Sequence, residues 1–460
     1  MRERKHPVLS AFLFIAVAAL FLGGWFAYWE ARNHGFDSVG SVISGLPIEK
    51  DLQNRTRALG MLADLALSKD GKERTYLVLF QNNFELRPGG GFIGSFGILK
   101  VKDGHMTEFT VHDTGNFDVR IPDTVEPPYP MRETLHIRSW KMRDSNWSPD
   151  FPTDATQAVT FYGMGGGMET FDGVVGITAD VLSSFLSVTG PVRLPGFPGT
   201  YGADNAIFDL EYQVEQGYRD QNIDFGERKS VLGMLGSEIM AKVRALPPRD
   251  MFRLSRVVLR DLDRKDIQLY FFDANLERRV ADAGWGGSFD SSWSNDFLMV
   301  VDANLDSWKT DSVMKRSLRY EIDRTGDTPK ARLTVGYKHT GLERNFMVKD
   351  YRTYLRVYVP EGSFIRTVAG GEGEPVYGTY SGKKFVGTLV SVSLGTFKDV
   401  VFEYDLPSSF VHIPYDLKIE RQAGTGDVPV AISITGKDGS RTERELVLDR
   451  DFILGNGDDN

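Results

Sequence analysis

Leu79-Phe80-Gln81-Asn82-Asn83-Phe84-Glu85-Leu86-Arg87-Pro88-Gly89-Gly90-Gly91-Phe92-Ile93-Gly94-Ser95-Phe96-Gly97 is the stretch from which the rest of the chain can be read. An apolar, strand-like run from Tyr76 to Phe80 stops at three consecutive amides. One acid, one arginine, a proline and three glycines follow, before a second apolar segment opens at Phe92. Glycine admits positive-φ and close-approach backbone geometry at little steric cost. Two readings stay open. In one, Gly89, Gly90 and Gly91 form a tight connection between neighbouring strands, with Glu85 and Arg87 paired to each other. In the other, successive N–H groups make an anion-binding nest beside Arg87. No Gly-Lys-Ser/Thr follows, so this is not a phosphate-binding P-loop, and the glycines lack the spacing of a dinucleotide fingerprint.

Working outward, Arg74 to Phe80 and Phe92 to Val101 read as strands, and Lys102-Asp103-Gly104 as a hairpin turn into Met106–Val111. The return strand carries Asp113 and Asp118 at its far end. After a proline-rich excursion over 121–130 comes a second dense cluster, Arg138-Ser139-Trp140-Lys141-Met142-Arg143-Asp144-Ser145-Asn146-Trp147-Ser148-Pro149-Asp150-Phe151-Pro152. Arg138 and Arg143 suit bidentate binding of a phosphate or carboxylate. Asp113 and Asp144 suit a divalent cation, or simply neutralise the arginines; Asn146 completes the candidate set.

Beyond it, helices are expected over Thr153–Tyr162 (capped by Thr153), Thr178–Val188, Gly226–Leu246, Met251–Leu262 and Asp273–Ala283, with strands over Phe171–Ile177 and Ile267–Phe272. Asn295–Leu305 is an apolar run ringed by amides and acids. Mixed strands and helices over 72–313 point to an α/β domain with a mixed sheet. From 314 to 455, period-two runs such as Tyr354–Val359, Val400–Tyr404 and Val411–Ile419, separated by glycine and proline turns, point to an all-β sandwich. Residues 456–460 read as a disordered acidic tail.

The N-terminus predicts a compartment. Val8–Trp29 is uncharged and long enough, at roughly 33 Å as a helix, to cross a bilayer. Arg2, Arg4 and Lys5 precede it and Trp25, Tyr28 and Trp29 end it, as expected of a signal-anchor with residues 1–7 in the cytoplasm. Residues 30–71 would be a tether and helix, and the bulk of the chain extracytoplasmic. The net charge of −9 argues against a nucleic-acid partner. There is no cysteine and no His-Glu-x-x-His among the seven histidines, which excludes disulfides, a thiol nucleophile and that zinc motif. No Gly-x-Ser-x-Gly elbow occurs.

Gln81–Ser95 and Arg143–Pro152, with the order anchor, central domain and β-rich tail, resemble the domain of unknown function 4012 family of membrane-anchored bacterial envelope proteins. The segment from Ala155 to Gly167, the Phe171–Leu186 run and Thr189-Gly190-Pro191-Val192 are similar in layout to the LytR–CpsA–Psr phosphotransferases, which act on polyprenyl-pyrophosphate-linked glycopolymers. That family's arginine before an aspartate and threonine is absent, since His112 precedes Asp113-Thr114. The resemblances imply a cell-envelope protein that binds or scaffolds surface glycopolymer. The alternative they imply is an enzyme acting on polyprenyl-phosphate-linked glycans, with arginines on the pyrophosphate and Mg2+ on acids.

Overall fold

The computed structural model describes residues 50–224 and 230–455. The first unit is built on a five-stranded sheet of β1 (Glu73–Asn82), β2 (Phe92–Lys102), β3 (His105–Asp113), β4 (Gly173–Thr178) and β5 (Ile267–Phe271). Its order is β3-β2-β1-β4-β5, with β1 and β4 parallel and the other pairs antiparallel. Side chains alternate across the sheet, as a two-residue repeat requires. Tyr76, Val78, Val175 and Ile177 face one core, and Leu77, Leu79 and Val174 the other. Helices Lys50–Leu67, Asp180–Thr189, Ser230–Arg244 and Pro248–Asp263 cover the first face; helix Phe151–Met164 covers the second. The result is three layers, α/β/α. Thr153 does not cap the Phe151–Met164 helix. The Asp150 carboxylate accepts from Thr153 N at 3.1 Å, and Pro152 sits in the first turn, where no N–H is needed.

The second unit has two six-stranded sheets. One runs β10 (Phe364–Ala369), β13 (Phe397–Asp405), β8 (Lys330–His339), β7 (Met314–Asp323), β15 (Val428–Thr435), β16 (Arg441–Leu448). The other runs β11 (Glu372–Tyr380), β12 (Lys383–Val392), β9 (Tyr351–Pro360), β6 (Asp296–Asn304), β14 (Leu417–Glu420), β17 (Phe452–Leu454). A single core that includes Leu298, Tyr320, Leu333, Leu355, Val357 and Phe402 lies between them. Strand β6, expected to close the α/β unit, pairs here with β9 and β14. Its acids are buried and answered inside the sandwich. Asp302 accepts from Arg316 Nε at 2.7 Å, Tyr337 Oη at 2.8 Å and Thr353 Oγ1 at 2.9 Å. The strand expected over Val411–Ile419 shrinks to Leu417–Glu420, preceded by a short 3-10 turn at Ser408–Val411.

Strand β9 shows how the units join. Leu355, Val357 and Val359 fill the sandwich core, yet Tyr354, Arg356 and Tyr358 on the opposite face are buried as well. Met131 and Trp147 pack on Tyr354, and Phe289 on Tyr358.

The spanning helix expected over 8–29 lies outside the described residues, as do the cytoplasmic tail 1–7, most of the tether and the acidic tail 456–460. Among the described residues, no helix is long and apolar enough to cross a membrane. The 18-residue Lys50–Leu67 helix carries Lys50, Asp51, Arg55, Arg57 and Asp64. The described residues thus supply no transmembrane element, and so lend no support to the expected bilayer partner, single-pass localisation or membrane-anchored function, all of which rest on residues 8–29. The architecture is a mixed α/β region followed by β-rich sheets.

Candidate functional site

The two clusters singled out in the sequence meet. Gly89 N donates to Asn146 O at 3.1 Å, and Asn146 Nδ2 donates to Gly91 O at 2.6 Å. Between them Arg87, only 1% exposed, donates Nε to Asp144 at 2.8 Å, one Nη to Glu85 at 3.0 Å and the other to Asn304 O of β6 at 2.9 Å. Burial works against its charge, but Asp144 and Glu85 outweigh it and hold its pKa above the usual arginine value. The sandwich closes over the turn: Gln422 Nε2 donates to Arg87 O at 3.1 Å, Asn83 Nδ2 to Gly424 O at 3.2 Å, and Asn304 N to Leu86 O at 2.9 Å.

The glycines are needed for contact. Gly90 has φ +135, and a Cβ there would lie 2.1 Å from Gln81 Oε1; a Cβ on Gly91 would lie 2.4 Å from the Asn82 carbonyl carbon. The N–H groups of Gly89 and Gly90 already donate to Asn146 O and Arg87 O. As placed, the turn binds the chain itself.

The other candidate residues fall into the same pattern. Asp118 is buried, accepts from Met142 N at 3.1 Å and pairs with Arg143 Nε at 2.5 Å. Arg143 lines a shallow surface depression with Arg120, Asp123 and Lys141, where Lys141 pairs with Asp123. Asp113 caps the short Thr114–Asp118 helix by accepting from Asn116 N at 3.0 Å. Arg138 is exposed. Asp144 is spent on Arg87, so it does not join Asp113 as a metal ligand; among the described residues no three His, Cys, Asp or Glu side chains gather as a metal site.

Beside this joint, on the opposite face of the sheet end, lies a cleft of about 240 Å3. Its wall is apolar: Phe80, Phe92, Ile177, Leu182, Ile207, Leu210, Val214, Leu232 and Leu235. These come from the ends of β1 and β4, the start of β2, helix Asp180–Thr189, helix Ala206–Tyr212, the π-helical turn Gln213–Gly217 and helix Ser230–Arg244. A π-helical turn inserts a residue into the helical repeat and is often found at functional sites; this one brings Val214 and Glu215 to the cleft.

One flank is polar. Lys309 Nζ lies 3.3 Å from Glu211 and 3.1 Å from Glu215, and Asn82 Nδ2 donates to Glu211 at 2.9 Å. Glu85 completes the flank. Burial raises the pKa of Glu85, against the pull of Arg87 and Lys309, and burial raises that of Glu211, against Lys309. Burial would lower that of Lys309, but Glu211 and Glu215 overcome it and raise it. Of the candidate ligand-binding residues named from the sequence, Glu85 alone lines this cleft, together with Phe80, Gln81, Asn82, Phe92, Gly94 and Ser95 of the opening stretch. Glu211, Glu215 and Lys309 were missed. The available signal was a like-charged i,i+4 pair, unfavourable on a helix unless a cation sits between.

No curated protein matches the chain. Among solved structures, the chain is similar to the Listeria innocua protein Lin1025 at 12% identity and TM-score 0.25, covering 47% of this chain and 78% of that one. It is similar to the Legionella pneumophila protein lpg2210 at 8% identity and TM-score 0.21, covering 30% of this chain and 54% of that one. Residues 71–214, which hold β1 to β4, both clusters and much of the cleft wall, match the family described as Protein of unknown function (DUF4012), so this stretch is a DUF4012 domain.

Proposed function

We propose that this protein binds a small amphipathic molecule in the cleft between the β1/β4 strand ends and the helices at 180–189, 206–217 and 230–244. The observation that carries the reading is the cleft itself: an apolar wall and a single polar flank in about 240 Å3. Pockets with that division hold ligands by burial and orient them with few polar groups. Glu85 is the sequence-flagged residue assigned to ligand contact. Arg87, Gly89, Gly90, Gly91, Asp144 and Asn146 are assigned to the joint between the two units. Asp113, Asp118, Arg138 and Arg143 lie away from the cleft. The likeness of 155–192 to phosphotransferases supplies no reaction here: phosphoryl transfer needs cations facing the transferring group, and the arginines nearest the turn face carboxylates.

Titration with N-phenyl-1-naphthylamine, an uncharged apolar fluorophore, tests this. The protein should show saturable fluorescence enhancement. Ile207→Trp, which fills the cleft from its rim, should abolish the enhancement without lowering Tm. Enhancement that does not saturate, or that survives Ile207→Trp, would sink the reading.

A further inference from the structure

We infer that the ligand is cation-headed: an aliphatic or ring body ending in an ammonium group, seated against Glu85, Glu211 and Glu215. This deepens the binding reading above and rests on it. The charge count at the flank carries the argument. Four carboxylates, Glu85, Asp144, Glu211 and Glu215, share two cations, Arg87 and Lys309. Lys309 is divided between Glu211 and Glu215, and it is the one cation among the described residues lining the cleft. Arg87 is divided between Glu85 and Asp144 and faces away into the joint. Of the charged groups packed nearby, Asp311 is paired to Arg316, and Asp180 accepts from Asn83. Neither lends the cleft a cation.

Glu85 and Glu211 are only about a fifth exposed, so water compensates their charge poorly, whereas Glu215 opens to solvent at the rim. In such surroundings an ion is stable only when paired and hydrogen-bonded. An ammonium offers three donors to acceptors that are in surplus here. Thr178, another lining residue, is 2% exposed and its Oγ1 has no hydrogen-bond partner among the described residues. A phosphate or carboxylate would instead face two carboxylates already in excess, and like charges brought together at a buried contact oppose binding. Burial raises the pKa values of Glu85 and Glu211, and a cation seated beside them would act in the opposite direction.

The test uses the full chain and three probes with one chain length: octylammonium, octanoate and 1-octanol, each below its aggregation limit, by isothermal titration calorimetry at neutral pH. Octylammonium should bind about tenfold or more tightly than octanoate, and lose affinity as salt rises. Glu211→Gln and Glu215→Gln, each checked for a native circular dichroism spectrum, should weaken octylammonium by about tenfold and 1-octanol by far less. Octanoate binding as tightly as octylammonium overturns the charge assignment, while 1-octanol binding in the same experiment keeps the cleft reading. Failure of all three probes overturns the cleft reading and this inference with it.

Discussion

Arg87→Met is the perturbation for which the structure gives the clearest magnitude. Methionine keeps the unbranched stem but removes the guanidinium, whose bonds reach Asp144 at 2.8 Å, Glu85 at 3.0 Å and Asn304 O at 2.9 Å. Arg87 and Asp144 are both almost fully buried, so the change strands a carboxylate with no solvent to replace its partner. Breaking a buried pair from one side costs about 3–5 kcal/mol. At about 2–4 °C per kcal/mol for a unit of this size, Tm should fall by roughly 6–20 °C. The bond to Asn304 O also ties the α/β unit to β6, so limited proteolysis near the joint should become faster. The double variant Arg87→Met/Asp144→Asn should recover part of the loss, because the stranded charge is gone. Thermal unfolding by circular dichroism reads both variants. An Arg87→Met protein melting within about 2 °C of wild type would refute the joint as described.

Three further outcomes are expected. Gly91→Ala should fail to fold or lose several kcal/mol, since its Cβ meets the Asn82 backbone, whereas Gly163→Ala, exposed on a helix with nothing within 4 Å, should be neutral or gain up to about 1 kcal/mol in chemical denaturation. Asp261 is 1% exposed, and burial and the neighbouring Asp266 push its pKa up to about 7 despite Arg260. That lies above the unfolded carboxyl value of about 3.9, so between the two the native state binds the extra proton and stability falls as pH rises. Asp261→Asn should flatten the stability profile between about pH 4 and 7, and an unchanged slope would contradict the assignment. Arg356→Lys keeps the charge but loses the planar face lying 5.3 Å from the Trp147 ring; the denaturant midpoint should show a loss of about 1–2 kcal/mol.

Much of the scaffold was written in local pattern. Period-two runs placed β9 and β13, a continuous apolar run placed β1, and an apolar stripe placed helix Ser230–Arg244. The joint was legible as composition: three glycines and two tryptophans mark backbone close approach and rigid burial, and those stretches do touch. Its chemistry was not legible, because each charge finds its partner far along the chain. Arg87 reaches Asp144 across 57 residues and Asn304 across 217. Strand β6 is buried on both faces, so its sequence has no period to reveal which sheet it joins. The period-two pattern of Tyr354–Val359 does not reveal that Arg356 and Tyr358 are covered too, because what covers them, Trp147 and Phe289, lies in another unit. The cleft is drawn from strand ends, three helices and Lys309; Gln81, Asn82, Glu85 and Ser95 stood in the visible motif, whereas Glu211, Glu215 and Lys309 stood beside none.

Hydrogen exchange with octylammonium present and absent tests the central claim most directly. The account predicts added protection at 177–182 and 206–217, where the strand end, the helix and the π-helical turn line the cleft, with 138–152 unchanged. Protection concentrated at 138–152, around Arg143 and the tryptophans, with 206–217 unaffected, would contradict it.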